Sequence, residues 1–229
     1  MTQAIAREID ELDVQSANKR KRGRPTKQDS QGLALEDLII KAAKQVCCDY
    51  GVHALTVELI LQKAGISRPT FYKFFKNKEV VLEVISQRAH QELVAAMQVT
   101  MLQSDLPCKG STSIVDIVID TYLEWGLAQG PIVSRFYQAI TDETSIIAQH
   151  RQKTGEALVN IFQEANINAG LPKFDPLLLT SLINLIEFLG NPLFAKRHSR
   201  AEFKRVRNIM RMVLEKLLMG RDITQYNIE

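Results

Sequence analysis

The sequence predicts an all-α protein in which a small N-terminal helical domain precedes a larger helical one. Apolar residues recur at three- and four-residue steps through most of the 229 residues. Gly and Pro fall mainly between these periodic segments, where they end helices and form turns. No segment shows sustained alternation of apolar and polar residues, which is the pattern of a half-buried strand. We expect about nine helices, arranged as an N-terminal arm (1–32), a first helical domain (33–80) and a second helical domain (81–229).

Composition places the chain among soluble globular proteins. Hydrophobic residues make up 45% and charged residues 24% of the sequence, and both values are ordinary. The net charge of +3 matters only where basic residues cluster. Cys47, Cys48 and Cys108 lack the spacing of a metal site or a disulfide framework. No apolar run reaches the ~18–20 residues of a membrane span, and the N-terminus is too polar for a signal peptide. We predict a cytoplasmic protein with no metal, no cofactor and no membrane partner.

The arm, residues 1–32, is predicted to be disordered. It contains a dense basic segment with Gly and Pro, running from Lys19 to Lys27. The Arg-Gly-Arg-Pro core of this segment resembles an AT-hook, whose thin backbone lets flanking arginines, here Arg22 and Arg24, enter a narrow minor groove. The alternative is a solvated tail that adds only non-specific attraction to phosphates.

Two helices joined by a tight turn are predicted to follow the first helix of the chain. The first helix, Leu35–Tyr50, has one apolar face, and Gly51 ends it. Thr56 then has the chemistry of an N-cap. The helix after it carries an apolar face until Gly65 supplies the left-handed backbone of a C-terminal turn. That face consists of Val57, Ile60 and Leu61.

The second helix of this pair carries the residues that indicate DNA binding. Ser67 is its predicted N-cap, and Pro69 lies in the first turn, where no backbone N–H is required. Positive side chains contact phosphates, and polar side chains on such a helix read base edges in the major groove. The polar residues offered are Arg68, Thr70, Tyr72, Lys73 and Lys76, with Phe71, Phe74 and Phe75 available to anchor the helix.

Residues 35–82 resemble the DNA-binding domain of TetR-family transcriptional regulators. The motif of that family is a threonine-led helix, an Ala-Gly-Ile/Val-Ser turn and a recognition helix with a Thr-Phe/Leu-Tyr core, followed by Lys and an acidic residue. This chain has Thr56, the turn 64–67, the segment 70–75 and then Lys78 with Glu79 in those places. The resemblance implies a helical effector-binding and dimerisation domain after the DNA-binding one.

Distinct roles are predicted within the DNA-contacting set. Arg68 and Thr70 are expected to reach base edges, because they lie in the first turn of the recognition helix. The residues expected mainly to hold the phosphate backbone are Thr56, Tyr72, Lys73 and Lys78. The complete predicted set is Arg22, Arg24, Thr56, Ser67, Arg68, Thr70, Tyr72, Lys73, Lys76 and Lys78.

A long helix from Asn77 to about Gln103 is predicted to join the two domains. Movement at its far end would therefore move the DNA-contacting helices. Five more helices follow, separated by Gly and Pro breakers. They are Ile114–Gln129, Ile132–Ile140, Thr144–Asn168, Pro176–Phe188 and Ala201–Met219.

The last two helices are predicted to form a homodimer interface. The final helix has an apolar stripe too wide for a helix that packs on one surface, and the helix before it is apolar nearly all round. Two such helices from each chain could form a four-helix interface about a two-fold axis. The alternative is an intramolecular core. The interface residues predicted are Leu182, Leu185, Phe203, Val206, Met210, Val213 and Leu217. The basic residues nearby, including Arg207 and Arg211, are interpreted as a solvated face.

The central helices carry a cluster of aromatic residues that the family resemblance interprets as an effector pocket. Plain core packing is the alternative for each member. Glu187 has three interpretations, because a buried carboxylate needs a partner: a cross-dimer ion pair, a cavity wall, or contact with solvent. The predicted pocket residues are Met97, Tyr122, Trp125, Phe136, Tyr137, His150, Phe162, Asn184 and Glu187.

The combined hypothesis is a homodimeric transcriptional repressor of a pseudo-palindromic operator in double-stranded DNA, released by a small hydrophobic or amphipathic effector. An activator, or an architectural DNA-binding protein without effector control, is the alternative. An enzyme is not expected, since the sequence has no nucleophile elbow, phosphate loop or metal-ligand spacing.

Overall fold

The computed structural model describes residues 27–103, 114–140, 145–168, 173–196 and 198–219. Within these ranges the chain forms nine α-helices and one short 3₁₀ helix, with no strand, and the predicted all-α class is confirmed. The helices are α1 (Lys27–Tyr50), α2 (Val57–Ala64), α3 (Arg68–Tyr72), α4 (Lys78–Gln103), α5 (Ile114–Gln129), α6 (Ile132–Ala139), α7 (Ile146–Asn168), α8 (Pro176–Ala195) and α9 (Arg200–Met219), with the 3₁₀ helix at Val52–Ala54. The described residues from Ile39 onward belong to one compact unit.

Helix α1 begins at Lys27, eight residues before the predicted start at Leu35. The prediction of a disordered arm up to residue 32 is therefore wrong for its last six residues. Periodicity finds only the apolar part of a helix, and residues 27–32 carry no apolar side chain that would reveal its first turns. Arg22 and Arg24 lie outside the described residues.

The first hydrophobic core is shared by the N-terminal helices and by helices from the second half of the chain. Ile39 and Val46 of α1 pack there with Ile60 of α2 and Phe71 of α3. Helix α4 adds its first turns to the same core. The contributions from farther along the chain are Ile132, Phe136, Ala139 and Ile147 of α6 and α7. Hydrophobic packing therefore crosses the predicted domain boundary at residue 80.

The second hydrophobic core lies among α4, α5, α7, α8 and α9. Its fully buried members include Ile119 of α5 and Met210 of α9. Small residues allow close approach at two points: a Cβ added to Gly126 would lie 2.1 Å from the Phe194 ring, and one added to Gly190 would lie 2.7 Å from the Tyr122 ring. Packing therefore dictates glycine at both positions, although neither has a positive φ.

Helix α8 continues through Pro192 to Ala195, past its predicted end at Phe188. Proline inside a helix removes a backbone hydrogen bond and costs about 3 kcal/mol. Continuing the helix buries Leu193 and Phe194, which are 4% and 3% exposed. Burial of two such side chains is worth about 3–6 kcal/mol, which offsets the cost of Pro192.

Helix α8 is also long and apolar enough, by length and composition alone, to cross a membrane, with a mean hydropathy of 1.5. The prediction that no apolar segment reaches this length is therefore wrong. A helix from the core of a folded domain meets the same criterion. Leu182, Ile183 and Ile186 of α8 do lie in the second core.

An ion-pair network fastens α9 to α5. Arg207 Nε lies 2.6 Å from Asp120 Oδ1, and Arg207 Nη2 lies 3.1 Å from Asp116 Oδ1. Arg211 Nη1 lies 3.5 Å from the other oxygen of Asp116. The Asp116 side chain is 6% exposed, so its charge requires these partners. Arg207 and Arg211 are partly exposed, at 26% and 42% of their side chains, but they also hold a buried carboxylate, which the interpretation as a solvated face does not include.

Two glycine substitutions test the packing of the second core. Gly126→Ala is expected to lower the free energy of unfolding by about 1–3 kcal/mol, because the new Cβ collides with the buried Phe194 ring. Gly155→Ala in α7 is the matched control, since no atom lies within 4 Å of its added Cβ. It should raise stability by about 0.5–1 kcal/mol through helix propensity. Urea unfolding measures both, and a stabilised Gly126→Ala protein would contradict the close α5–α8 packing.

Candidate DNA-binding surface and effector cavity

The turn between α2 and α3 is built by local signals that the sequence predicts correctly. Thr56 Oγ1 accepts a hydrogen bond from the Leu59 N–H at 3.2 Å and caps α2. Gly65 ends α2 with φ of 66° in the left-handed region, where glycine is strongly favoured. Ser67 Oγ accepts from the Thr70 N–H at 3.4 Å and caps α3. The predicted caps at Thr56 and Ser67 are confirmed.

Helix α3 is shorter than the predicted recognition helix, because it ends at Tyr72. Lys73 and Lys76 therefore lie just beyond it. Phe75 follows in the sequence and is buried in the first core, with 3% of its surface exposed. Asn77 then caps α4 by accepting from the Val80 N–H at 3.0 Å, so that the chain changes direction between the two helices.

Helix α3 has one buried and one exposed side. Phe71 is completely buried and anchors it, with its ring 5.3 Å from that of Tyr72 in an edge-to-face arrangement. Tyr72 itself is 48% exposed. The predicted DNA-contacting side chains that are exposed are Thr56, Ser67, Arg68, Tyr72, Lys73 and Lys76. They give this part of the protein a cationic, hydroxyl-bearing surface, which we call the α3 surface.

Three predicted contacts have partners inside the protein. Arg68 forms an ion pair with Glu58 of α2, and both side chains are more than half exposed. Thr70 Oγ1 shares a hydrogen bond with Ser67 Oγ at 2.8 Å. Lys78 is half-buried, and its Nζ donates to the Leu55 carbonyl at 2.8 Å. Lys78 therefore ties the start of α4 to the loop before α2, a role that the sequence does not reveal.

Three neighbouring cavities lie among helices α4 to α9. The head cavity, the most polar, is lined by Ala89, His90, Leu93, Tyr122, Trp125, Val133, Phe136, Tyr137, Ile140, Ile147, Arg151, Glu187 and Asn191. The middle cavity is lined by Leu93, Met97, Val118, Tyr122, Leu158, Phe162, Ile183, Ile186 and Glu187. The tail cavity is lined by Met101, Ile114, Val115, Val118, Phe162, Ala165, Asn166, Phe174, Leu179, Leu182, Ile183, Ile186 and Leu214.

The cavity walls include seven of the nine predicted pocket residues. Tyr122, Trp125, Phe136, Tyr137 and Glu187 line the head cavity, and Met97 and Phe162 line the middle one. His150 and Asn184 are outside all three linings. Each of them contacts a residue that lines the head cavity: His150 packs on His90, and Asn184 accepts a hydrogen bond from Arg151. The polar residues of the head cavity that the sequence analysis does not predict are His90, Arg151 and Asn191.

Glu187 is paired within its own chain. Its Oε2 accepts from Arg151 Nε at 2.8 Å, and Arg151 Nη2 donates to Asn184 Oδ1 at 2.7 Å. Burial raises the pKa of Glu187, although the charge and hydrogen bonds of Arg151 oppose the change. The predicted cross-dimer partner is therefore wrong, and the cavity-wall interpretation agrees with the structure. Arg151 lies 36 residues away in sequence, so no local pattern could have identified it.

His90 is a buried histidine packed against His150, with their ring centroids 6.1 Å apart. Burial, and then the nearby His150 and Arg151, lower the pKa of His90 to about 4. Ser86 Oγ lies 3.3 Å from His90 Nδ1. His90 is therefore neutral at pH 7.

The predicted dimer residues divide between core and surface. Met210 and Leu182 are 0% and 6% exposed within the single chain, so their placement in an interface is wrong. Both side chains pack in the second core instead. Leu217 is 46% exposed, and the half-buried residues are Leu185, Phe203, Val206 and Val213.

His90 predicts a pH dependence of stability. Its pKa is lower in the folded than in the unfolded protein, so the unfolded protein binds the proton more tightly. Stability should therefore fall as pH drops from 6.5 to about 4, by up to about 3 kcal/mol from this group. Urea unfolding of His90→Gln should show a correspondingly weaker loss, whereas His53→Gln, which removes an exposed histidine, should retain it. Equal losses in wild type and His90→Gln would contradict this assignment.

Comparison with known proteins identifies the N-terminal part. Residues 39–85 match the family model described as bacterial regulatory proteins of the tetR family. The chain is 24% identical over 96 residues to the HTH-type transcriptional regulator YdgC of Bacillus subtilis (strain 168), a match that covers 42% of this chain. The matched stretch spans about half of that relative, 49% of its length.

Solved structures are similar to this fold over most of the chain. The fatty acid degradation regulator FadR from Bacillus halodurans has a TM-score of 0.60 at 19% identity, over 82% of this chain and 96% of that one. Salmonella enterica GusR has a TM-score of 0.61 at 16% identity, over 87% and 99%. A tetR-family regulator from Streptomyces coelicolor has a TM-score of 0.60 at 17% identity, over 81% and 79%. Residues 39–85 therefore match the tetR family of bacterial regulatory proteins, and the described fold is similar to that of a solved tetR-family transcriptional regulator.

Proposed function

We propose that the protein is a homodimeric repressor that binds a pseudo-palindromic operator in the cytoplasm and is released by a small amphipathic effector. The observation that carries this proposal is the α3 surface, which presents exposed cations and hydroxyls above the buried Phe71. A short helix that is anchored from behind can enter the major groove as a rigid reading element.

The position and chemistry of each side chain decide which part of the DNA it contacts. Tyr72 and Lys73 project from the end of α3 and hold phosphates, with Thr56 and Lys76 on the flanks. Arg68, in the first turn, reads a base edge in the major groove. On DNA binding, Arg68 either exchanges its ion pair with Glu58 for the base contact or keeps the pair, which then orients its guanidinium. Both side chains are exposed, so exchange costs little.

The exposed side of α8 is the proposed dimer surface. Leu177, Ser181, Leu185, Phe188 and Pro192 follow one another at three- or four-residue steps and so share one face. Leu177 is 74% exposed and Phe188 is 63% exposed. Such apolar side chains on one helix face favour a partner.

Residues of α9 extend this surface. Met212 is 52% exposed and Leu217 is 46% exposed. Val213 and Leu185, both half-buried, complete the proposed interface. A two-fold axis through α8 and α9 would place two α3 surfaces on adjacent major grooves, about 34–36 Å apart.

The effector cavity and the DNA-binding domain share structural residues. Phe136 and Ile147 line the head cavity and also belong to the first core, in which Phe71 is buried. Two hydrogen bonds join the same regions: Lys44 Nζ to Gln129 Oε1 at 3.0 Å, and Arg135 Nε to the Cys48 carbonyl at 3.2 Å. An occupant that moves α6 would therefore move the first core.

Effector control requires different affinities for two conformers. The effector releases DNA only if it binds a conformer with wrongly spaced α3 surfaces better than the DNA-competent one. The basic arm, with Arg22 and Arg24, adds minor-groove contacts in this proposal. An architectural protein without effector control is the alternative, and it would bind specific and random duplexes with equal affinity.

Alanine substitutions on the α3 surface test the DNA-binding proposal. Lys73→Ala should weaken binding equally to all duplexes and reduce the salt slope of affinity by about 1, because one phosphate contact is lost. Arg68→Ala should cost about 1–3 kcal/mol and relax selectivity at one base pair. Fluorescence anisotropy on selected and mismatched duplexes measures both effects.

The matched control is Lys153→Ala, which removes an exposed lysine from α7. It should leave affinity and salt slope unchanged, and all three proteins should keep wild-type helical content by circular dichroism. The docking geometry is wrong if Lys73→Ala and Lys153→Ala behave alike.

A charge at the α8 surface tests dimerisation. Phe188→Glu should convert the dimer to monomers, because burying an unpaired carboxylate is costly. Leu127→Glu, at a residue of α5 that is 52% exposed, is the control and should remain dimeric. Sedimentation velocity measures the mass of each protein. A Phe188→Glu protein that keeps the wild-type mass would place the interface elsewhere.

A further inference from the structure

The three cavities form a continuous row along the helices that enclose them. The head and middle cavities share Leu93, Tyr122 and Glu187. The middle and tail cavities share Val118 and Phe162. Because neighbouring cavities have common walls, rotation of a few side chains can join all three.

The length of the row follows from helix geometry. On α8, Asn191 lines the head cavity and Leu179 lines the tail cavity, so the two ends lie about 18 Å apart at the helical rise per residue. On α4, His90 and Met101 give a similar separation, about 17 Å. Both helices therefore give a similar length for the row of cavities, and a row of this length suits an elongated occupant.

The two ends differ in chemistry. Asn166 is the one polar residue among the described residues that line the tail cavity, so this end suits a hydrocarbon. The head cavity contains two tyrosines together with Arg151, Glu187 and Asn191. A molecule that satisfies both ends has an apolar chain and one polar head.

The charge at the head cavity is already balanced. Arg151 is the one strongly basic side chain among the described residues that line it, and Glu187 binds its guanidinium. A carboxylate head would have to displace Glu187 and leave that buried charge without a partner, which is costly. The geometry therefore disfavours an anionic head.

A hydrogen-bond acceptor in the same cavity lacks a donor. Asn191 Oδ1 is buried and has no hydrogen-bond partner among the described residues. A buried acceptor without a partner is destabilising, so a ligand that donates a hydrogen bond to it gains affinity. Hydroxyl and amide groups donate such a bond without bringing a charge.

We infer that the effector is an uncharged long-chain amphiphile, an alcohol or amide whose head donates to Asn191 Oδ1 and whose chain crosses the middle cavity into the tail cavity. This inference rests on the proposed ligand-responsive function. The head and tail cavities measure ≈ 40 and ≈ 90 Å³, below the roughly 300 Å³ of typical ligand pockets. An occupant of this length must therefore displace the cavity walls, and Phe136 in the wall of the head cavity also belongs to the first core.

Trp125 provides a direct readout, because it is the only tryptophan of the chain and lines the head cavity. The full-length protein is titrated with dodecan-1-ol, dodecanoate and dodecylammonium below their aggregation limits, and Trp125 fluorescence is followed. Dodecan-1-ol should bind at least tenfold more tightly than either ion. Each methylene removed from the alcohol should weaken binding about fourfold, as expected for a buried hydrocarbon chain.

Two substitutions test the head cavity and the tail cavity separately. Asn191→Leu should weaken the binding of dodecan-1-ol, because the acceptor of its hydroxyl is lost, and should retain the dependence on chain length. Ala165→Phe, which fills the tail cavity, should bring the affinity of dodecan-1-ol down to that of octan-1-ol. Val99→Phe, at a residue of α4 that is 52% exposed, is the control and should change neither property.

The outcomes separate this inference from the proposed function. Tighter binding of dodecanoate than of dodecan-1-ol would overturn the uncharged head, and equal affinity for short and long alcohols would overturn the joined cavities. If the protein binds its operator selectively but none of these probes alters Trp125 fluorescence, the effector assignment fails while the DNA-binding proposal stands. If dodecan-1-ol binds as expected but the protein binds all duplexes equally, the DNA-binding proposal fails while the effector assignment stands.

Discussion

Burial of Phe71 is the interaction on which the DNA-binding surface depends. Helix α3 has five residues, far fewer than the ~12–15 that an isolated helix needs to be even marginally stable in water. The completely buried Phe71 ring supplies about 1.5–3 kcal/mol of hydrophobic free energy, and the Ser67 cap fixes the start of the helix. The direction of every polar side chain on the α3 surface therefore follows from packing behind it.

The core that holds Phe71 is also the link to the rest of the chain. Helix α6 contributes Phe136 to this core and to the head cavity at once. One aromatic side chain can therefore respond to an occupant and transmit the displacement to α1 and α3. Close-packed cores resist continuous deformation and respond by rearrangement, as the proposed alternation between two spacings of α3 would require.

Local sequence signals predicted the DNA-binding unit well, and tertiary contacts explain what they missed. Thr56, Gly65 and Ser67 act through neighbours three or four residues away, so their roles can be read directly from the chain. Arg151 and Glu187 meet only because α7 packs against α8. An apolar helix such as α8 does not reveal which face meets its own core, and Leu182 was therefore placed at the interface. Pro192 signals a break locally, but burial of the residues after it outweighs that signal.

The central claim is that paired α3 helices enter two major grooves of one operator. Hydroxyl-radical and methylation-interference footprinting on a duplex selected from random sequence tests this claim directly. We expect two protected patches on one face of the duplex, about 34–36 Å between centres, with interference at guanine N7 in the major groove of each half-site. A single patch, or interference confined to the minor groove, would contradict it.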